Sequence, residues 1–533
     1  YHNKTMDFQK IAFDKVNQLS HFDQLYAADQ QLFSSLLPYP ATMEGIAASI
    51  EGRKNKDVNR ELLVEIMTNQ YKTNGIDGRD ELIKSLSDKN TFTIVTAHQP
   101  YLFGGPLYFI LKILSAVKLA EQCKTAFPDY NFVPVFYIGG EDHDIDESNN
   151  VTVFNKKVVW NTDQTGPVGR MTTQDITASL EEIITILGNS ENALKLAEDL
   201  RACYAVGNDI NDAITCFIHH VLADFQLLVL NADDLKAKQS FKYIIRDEVL
   251  NGVAEALVTS QQEELKKMGL KPQAFVRPIN FFYLSDEGRN RIINKDGNFI
   301  INNTEIKFTV SEMERELDDH PERFSPNVII RPIYEEFLLP SVAFVGGGGE
   351  LAYWIDRKPL FEYFDVHMPV LVRRDSMMIV DKGSMKKLGK LQLKIQDLFK
   401  DAHDLKTYFL NMHAESAISF NEENQELAEL IKKMQEKVAS IDPTLSGFVG
   451  SETSSFFKTI EHIEARVKKS LSSKHDIELQ QLHTLQQKFF PANSLQERNE
   501  SFMSFYIKMG NSLFEKIYNA SNPLDISFKV IEE

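Results

Sequence analysis

Two apolar runs of strand length flanking one helical repeat constrain this chain most. Thr91-Phe-Thr-Ile-Val-Thr96 is short and rich in β-branched residues, which suits a buried strand. Leu107 to Gln122 repeats apolar residues at i, i+3 and i+4, which predicts an amphipathic helix. Phe132-Val-Pro-Val-Phe-Tyr-Ile138 is a second apolar strand, closed by Gly139-Gly140. Strand, helix and strand in succession form a βαβ unit, and such a unit implies a parallel sheet. Phe225 to Leu230 and Met368 to Val372 read as further strands of that sheet.

The chain has 533 residues, too many for one ordinary core. Residues 1–90 read as a helical segment packed on the core, and 91–380 as an α/β core interrupted at about 150–200 and 255–325. From about Asp381 the composition turns to Lys, Glu, Gln and Leu. Phe456, Ile460, Ile463, Val467 and Leu471 step at the spacing of a helical seam. Pro443 and Gly447–Gly450 are expected to split this stretch into an antiparallel hairpin. The helical domain is therefore placed at 381–517, with a tail at 518–533. Pairing through the seam would give a homodimer; an ordinary bundle packed on the core is the alternative.

The formal net charge is −18, which disfavours a general nucleic-acid binder. Tyr1 to Asp14 lacks the pattern of a signal peptide, and no apolar run is long enough to span a membrane. A soluble cytoplasmic protein is expected. The three cysteines, Cys123, Cys203 and Cys216, have no paired spacing and are read as buried thiols, with neither a disulfide framework nor a thiolate zinc site.

In open α/β sheets, ligands bind where strand ends lead into helices. Three loops qualify. The first runs from Thr96 to Tyr108 and carries His98, Gln99, Gly104, Gly105 and Pro106 before the helix; its glycines would let backbone N–H groups approach an anion. A tight turn with a structural histidine is the plainer reading. The second, Gly139 to Glu147, packs five carboxylates and a histidine into seven residues, 141–147. Such density marks a solvated turn, a cation site or a catalytic site. Magnesium with nucleotide phosphates would suit the carboxylates; alternatively His143 acts as a base oriented by Asp142 or Asp144. The third joins Arg331 to Pro340 with Gly346 to Glu350, Tyr353 and Trp354. Four glycines could cradle an anion and the rings could stack on a sugar or base, whereas the plainer reading makes Trp354 a core anchor. Arg277, Arg331, Arg373 and Arg374 flank apolar segments and suit an anionic substrate.

These blocks together resemble a known family. Gly105-Pro-Leu-Tyr108 with Lys112, Glu141-Asp-His-Asp144 with Glu147, Arg331-Pro332, and Gly349-Glu-Leu-Ala-Tyr-Trp354 stand in the order and spacing of the bacillithiol-biosynthesis cysteine-adding enzymes, the BshC family. Asn493 to Arg498 and Asn522 to Asp525 are similar to that family's C-terminal segments. Many members have Gly-Gln-Gln where this chain has Ala97-His98-Gln99, so Gln99 ranks above His98. The resemblance implies a Rossmann-like core with inserted connecting segments and a C-terminal coiled coil that dimerises. It implies a ligase joining cysteine to glucosaminyl-malate as the last step of bacillithiol biosynthesis, with ATP expected and magnesium admitted as its counter-ion. Its core is similar to class I aminoacyl-tRNA synthetases, although the second histidine of their signature is absent here, and Lys382 to Lys387 only faintly matches their lysine motif. On this reading Glu141, Asp142, His143 and Asp144 form the catalytic set, with His143 the proton carrier. Gln99, Gly104, Gly105, Tyr108, Lys112, Glu147, Arg277, Arg331, Gly349, Glu350, Tyr353 and Trp354 would hold substrate or nucleotide, and no protein-held metal is expected. A nucleotide-sugar transferase and a non-catalytic dimeric scaffold remain the alternatives.

Overall fold

A computed structural model describes residues 8–413 and 419–533. The start of the N-terminal segment, residues 1–7, and residues 414–418 of the helical stretch lie outside the described residues. Fifteen strands occur among them: β1 Phe8–Ile11, β2 Thr91–His98, β3 Asn131–Ile138, β4 Asn150–Val153, β5 Lys156–Val159, β6 Leu228–Asn231, β7 Phe281–Ser285, β8 Gly288–Lys295, β9 Asn298–Ile301, β10 Lys307–Phe308, β11 Phe324–Pro326, β12 Ser341–Gly346, β13 Val370–Arg373, β14 Ser376–Val380 and β15 Phe528–Glu532.

The core is a five-stranded sheet in the order β13-β12-β2-β3-β6, with every neighbouring pair parallel. Counted along the chain within this sheet, the order is 5-4-1-2-3, the arrangement of a doubly wound nucleotide-binding fold read from its other edge. The expected Rossmann-like core is therefore present. The strand order reverses between β2 and β12, so that junction is the switch point where a crevice opens at the carboxyl ends. β2 and β3 follow the two apolar runs because all their core-facing positions are filled: Phe92, Ile94, Val95, Val133, Val135 and Phe136 are buried. The helix Leu107–Ala126 between them is more buried than the amphipathic pattern implies. Even Lys112 is covered, because the helix packs on the sheet and on C-terminal helices.

The second connecting segment carries an antiparallel sheet, β10-β9-β8-β7-β11. The first carries the β4–β5 hairpin and the helices Glu191–Cys203 and Ile210–Val221. These two helices join Cys203 to Cys216 in a disulfide with Cα atoms 5.4 Å apart. The expectation of three thiols is corrected: a short turn brings together two cysteines that linear spacing keeps apart, and Cys123 alone is a buried free thiol.

The chain divides into two compact units, Tyr1–Val380 with Ser494–Glu533, and Asp381–Asn493. The helical unit thus ends earlier than the expected residue 517. Residues 494–533 belong to the core unit because β15 inserts between β1 and β14 in a second sheet. Within the helical unit, Asn421–Ala439 and Leu445–Lys474 pack as a hairpin. The break falls around Pro443, whereas Gly447 and Gly450 lie inside the second helix. Phe456, Ile463 and Val467 are 51%, 46% and 41% exposed, an apolar stripe unusual on a solvated helix. Among the described residues, no helix is long and apolar enough to cross a membrane.

A candidate active site at the carboxyl edge of the parallel sheet

A cavity of about 720 Å³ opens beyond the carboxyl ends of β2, β3, β12 and β13, within the usual range for a small-molecule site. Each strand end contributes. β2 delivers His98 and Gln99, β3 leads to Gly139, Asp142, His143, Asp144 and Glu147, β12 leads to Gly347, Gly349 and Glu350, and Arg374 follows β13. The inserted antiparallel sheet supplies Phe282, Arg289 and Arg291 on the facing wall.

Asp142 accepts from Arg331 Nη1 and Nη2, at 2.5 and 2.8 Å. Burial pushes its carboxyl up, but the charge and hydrogen bonds of Arg331 outweigh that and hold it at about 2. Arg331 opens the helix Arg331–Leu338, so the pair ties the acidic loop to that helix.

His143 Nδ1 lies 3.0 Å from Arg289 Nη1. A guanidinium can only donate, so Nδ1 is the acceptor and the neutral ring carries its proton on Nε2, an assignment made from the hydrogen bond. Arg289 is itself fixed: Nε donates to Ser325 Oγ and Nη2 to Pro326 O, each at 2.9 Å, and its plane lies 3.9 Å over the Phe282 ring. Burial first, and the Arg289 charge second, pull the imidazole below its ordinary value.

Behind the cavity wall, the fully buried Lys112 donates to both Glu350 oxygens, at 2.7 and 2.8 Å, and to Ala97 O. Glu350 also accepts from Gly347 N–H at 2.8 Å. Burial acts to raise its carboxyl, and Lys112, His98 and that N–H together bring it below the usual range. His98 is held neutral, driven to about 3 by burial and then by Lys112. It sits in an aromatic nest, 3.1 Å from Tyr108 Oη and stacked on Tyr101 at 4.6 Å. Gln99 donates to Glu147 at 2.8 Å.

Of the residues singled out in the sequence, Gln99, Tyr108, Asp142, His143, Asp144, Glu147, Arg277, Arg331, Gly349, Glu350, Tyr353 and Trp354 line one cavity. Four expectations need correction. Glu141 is not on the lining; it is buried 2.6 Å from Lys238, because the chain turns from Gly139 to Asp142, where the Asp142 N–H bonds to Gly139 O, and the adjacent side chains find different partners. Gly104 and Gly105 are not on it either. Their φ of +77° and +55° shape a turn packed on Phe217, Phe502 and Tyr101, and the Leu107 N–H at the helix start is already bonded to Glu500 O. No anion cradle forms there. Lys112 is not on the lining; it is buried against Glu350 and Ala97. Trp354 is 1% exposed and stacked on Phe344 at 4.1 Å and on Phe361 at 5.8 Å, so its faces are taken by the core.

Among the described residues the one close group of three potential ligand residues is Cys203, Cys216 and His220, and its two cysteines are joined in the disulfide. The third loop's glycine run was not recognised as following a strand, although β12 ends at Gly346. Sequence reasoning missed Arg289, Glu335 and Arg498 on the lining, and named Arg374 only as one of several arginines suited to an anionic substrate. Glu335 and Glu336 inside an otherwise apolar helix were a usable signal. Arg289 had none, because its face depends on the register of β8.

The family described as "Bacillithiol biosynthesis BshC, N-terminal Rossmann-like domain" matches residues 6–375, and its "C-terminal coiled-coil domain" matches 377–533. Curated relatives named "Putative cysteine ligase BshC" align nearly end to end. That of Christiangramia forsetii is 33% identical, covering 98% of each chain. That of Cytophaga hutchinsonii is 33% identical, again covering 98% of each. That of Bacillus cytotoxicus is 28% identical over 93% of this chain and 95% of its own. A tryptophanyl-tRNA synthetase structure from Plasmodium falciparum aligns over 84% of this chain and 97% of its own at 12% identity, with a TM-score of 0.19 that supports no structural argument. With both family domains matched in order across the described core and helical units, the chain belongs to the bacillithiol biosynthesis BshC family.

Proposed function

We propose that this protein is a ligase that joins the carboxylate of cysteine to the amine of glucosaminyl-malate, the last step of bacillithiol formation. The observation that carries this reading is the convergence of Asp142, His143, Arg331 and Glu350 with further arginines at the switch point of a doubly wound sheet. Amide formation from a free carboxylate is uphill in water, so the carboxylate needs activation. ATP supplies that activation when bound, through transfer of its adenylyl group.

The lining suits such anions. Arg289 and Arg291 from β8, with Arg277, Arg331, Arg374 and Arg498 from other parts of the chain, reach the cavity, and preorganised cations stabilise charge that develops on transferring oxygens. Asp142 holds Arg331 in place, while Arg277 is the better candidate for the malyl carboxylates because its contact is a ring, Phe275 at 5.3 Å. His143 presents Nε2–H as a donor. Magnesium enters as the counter-ion of the nucleotide, since the acidic loop spends Glu141 on Lys238 and Asp142 on Arg331. Purified protein supplied with cysteine, glucosaminyl-malate and ATP should yield bacillithiol and AMP in equal amounts. ADP in place of AMP would overturn adenylyl transfer and keep the ligase; no product with any nucleotide would overturn the ligase.

The protein works as a homodimer paired through the helical hairpin in this reading. The stripe of Phe456, Ile463 and Val467 is the supporting feature, because exposed apolar side chains at seam spacing gain by association. Light scattering after gel filtration should give twice the chain mass, and the triple exchange of these residues to Glu should give the single chain mass. A monomeric wild type would end the dimer reading.

A further inference from the structure

Glu335 differs from the other acidic residues on the lining, which are paired or, as Asp144, exposed. Asp142 is paired with Arg331, Glu350 with Lys112, and Glu147 with Gln99. Glu335 is on the lining and 2% exposed, yet its buried Oε1 has no hydrogen-bond partner. A buried polar atom without a partner forfeits its solvation, and such atoms are rare enough to need a reason.

Position narrows what could satisfy it. Glu335 lies one turn beyond Arg331 on the helix Arg331–Leu338, so both side chains leave the same face. Tyr137, Phe344 and Tyr353 share the lining, and the buried carboxyls of Glu336 and Glu350 are its electrostatic neighbours. An anion arriving here would meet Glu335 and Glu350 with Glu336 behind them, while the nearby cations Lys112 and Arg331 are already paired with Glu350 and Asp142. A metal ion would need further ligands, and Glu335 belongs to no close group of three among the described residues. A primary ammonium fits better: it brings one positive charge and three donors, and aromatic walls accept its methylene side.

We propose that Glu335 is the receptor for a primary ammonium group of a substrate, and that it selects amine-bearing substrates over their deaminated analogues. The inference rests on the ligase reading, in which both cysteine and glucosaminyl-malate carry such a group. Burial, with Glu336 and Glu350 adding to it against Lys112 and Arg331, keeps the carboxyl well above its usual range. Binding therefore exchanges a proton: the neutral acid and R–NH3+ give the carboxylate paired with R–NH3+, and one proton leaves to solvent.

The test compares wild type with Glu335→Gln by steady-state kinetics. Two competitive inhibitors are added: 3-mercaptopropionate, which is cysteine without its amine, and glucosyl-malate, which is the other substrate without its amine. A lost charge-assisted hydrogen bond should raise KM for the recognised substrate by about 10- to 100-fold and leave the other KM within about twofold. Wild type should bind the matching analogue at least tenfold more weakly than the substrate, on the same bond-strength reasoning, and Glu335→Gln should lose that discrimination. The analogue that responds identifies which amine Glu335 holds. Glu336→Gln, off the lining, should leave both discriminations unchanged even where it lowers stability.

Wild type that binds both analogues as tightly as the parent substrates overturns the inference without any variant being folded. So does Glu335→Gln with both KM values and both discriminations intact. In either case wild-type turnover still stands for the ligase. Absence of turnover in wild type instead removes the ligase reading, and the inference with it.

Discussion

Exchange of His143 for alanine will lower kcat by about 10²- to 10³-fold, the usual cost of removing one preorganised donor from a developing oxyanion. The loss should come without a comparable change in the unfolding midpoint, because the ring makes one side-chain hydrogen bond and packs on Phe282 at 5.5 Å. The direction of the hydrogen bond decides the role. Arg289 donates to Nδ1, so Nε2 keeps its proton and cannot take another while the ring is neutral. The sequence suggests a proton carrier; with Nδ1 accepting from Arg289, we propose a fixed donor instead. The pH profile separates the two. Burial and then Arg289 depress the imidazole below 6.5, so its protonation should cost activity only on the acid side of that value, and kcat/KM should carry no limb from this ring between pH 7 and 9. Arg289→Met releases Nδ1 and should reproduce part of the loss while moving the limb upward. A limb near neutrality in wild type that vanishes in His143→Ala would make the ring a general base. Turnover of His143→Ala within about threefold of wild type would place the ring outside the chemistry, since even modest acid–base assistance is worth more.

How much of this was legible depends on whether the information is local. β2, the following helix and β3 could be read because their apolar runs are contiguous and bounded by turn residues. The acidic loop could be placed at the rim because it follows a strand. β12 escaped because Ser341 to Val345 is five residues of mixed size before four glycines, and nothing local says that it inserts beside β2, far earlier in the chain. Which carboxylate faces the cavity was not legible either: Glu141 and Asp142 are adjacent, and only the turn at Gly139 and Gly140 sends one to Lys238 and the other to Arg331. The Cys203–Cys216 bond and the Arg289–His143 contact are likewise tertiary pairings without a linear trace. The compact helical unit ends at Asn493, short of the expected 517, for a compositional reason. Helix-forming residues continue past Asn493, and the residues that tie the segment to the core, Gln496 and Glu497, look like surface polar groups until their partners are known.

Those partners set the second large expectation. Glu497 is fully buried; Oε1 accepts from Arg374 Nη2 at 2.8 Å and from Ser376 Oγ at 3.2 Å, and Oε2 accepts from Met377 N–H at 2.7 Å. Exchange for alanine strips a charged acceptor from three donors and leaves the Arg374 guanidinium, 2% exposed along its side chain, without its carboxylate. Breaking one half of a buried pair in this way costs about 3–5 kcal/mol, far more than an exposed pair would. The effect should persist in high salt, since screening hardly reaches buried charges. Both tryptophans, Trp160 and Trp354, lie buried in the unit that contains Glu497, so denaturant unfolding followed by their fluorescence reports on that unit. Glu497→Gln keeps an acceptor for the Met377 N–H and should lose less. The double variant Glu497→Met with Arg374→Met should recover much of the loss of Glu497→Ala, because what costs is the orphaned charge, and two apolar chains of similar length leave none. A double variant no more stable than Glu497→Ala would show that the hydrogen bonds to Ser376 and Met377, and not the buried charge, hold the C-terminal segment on the core.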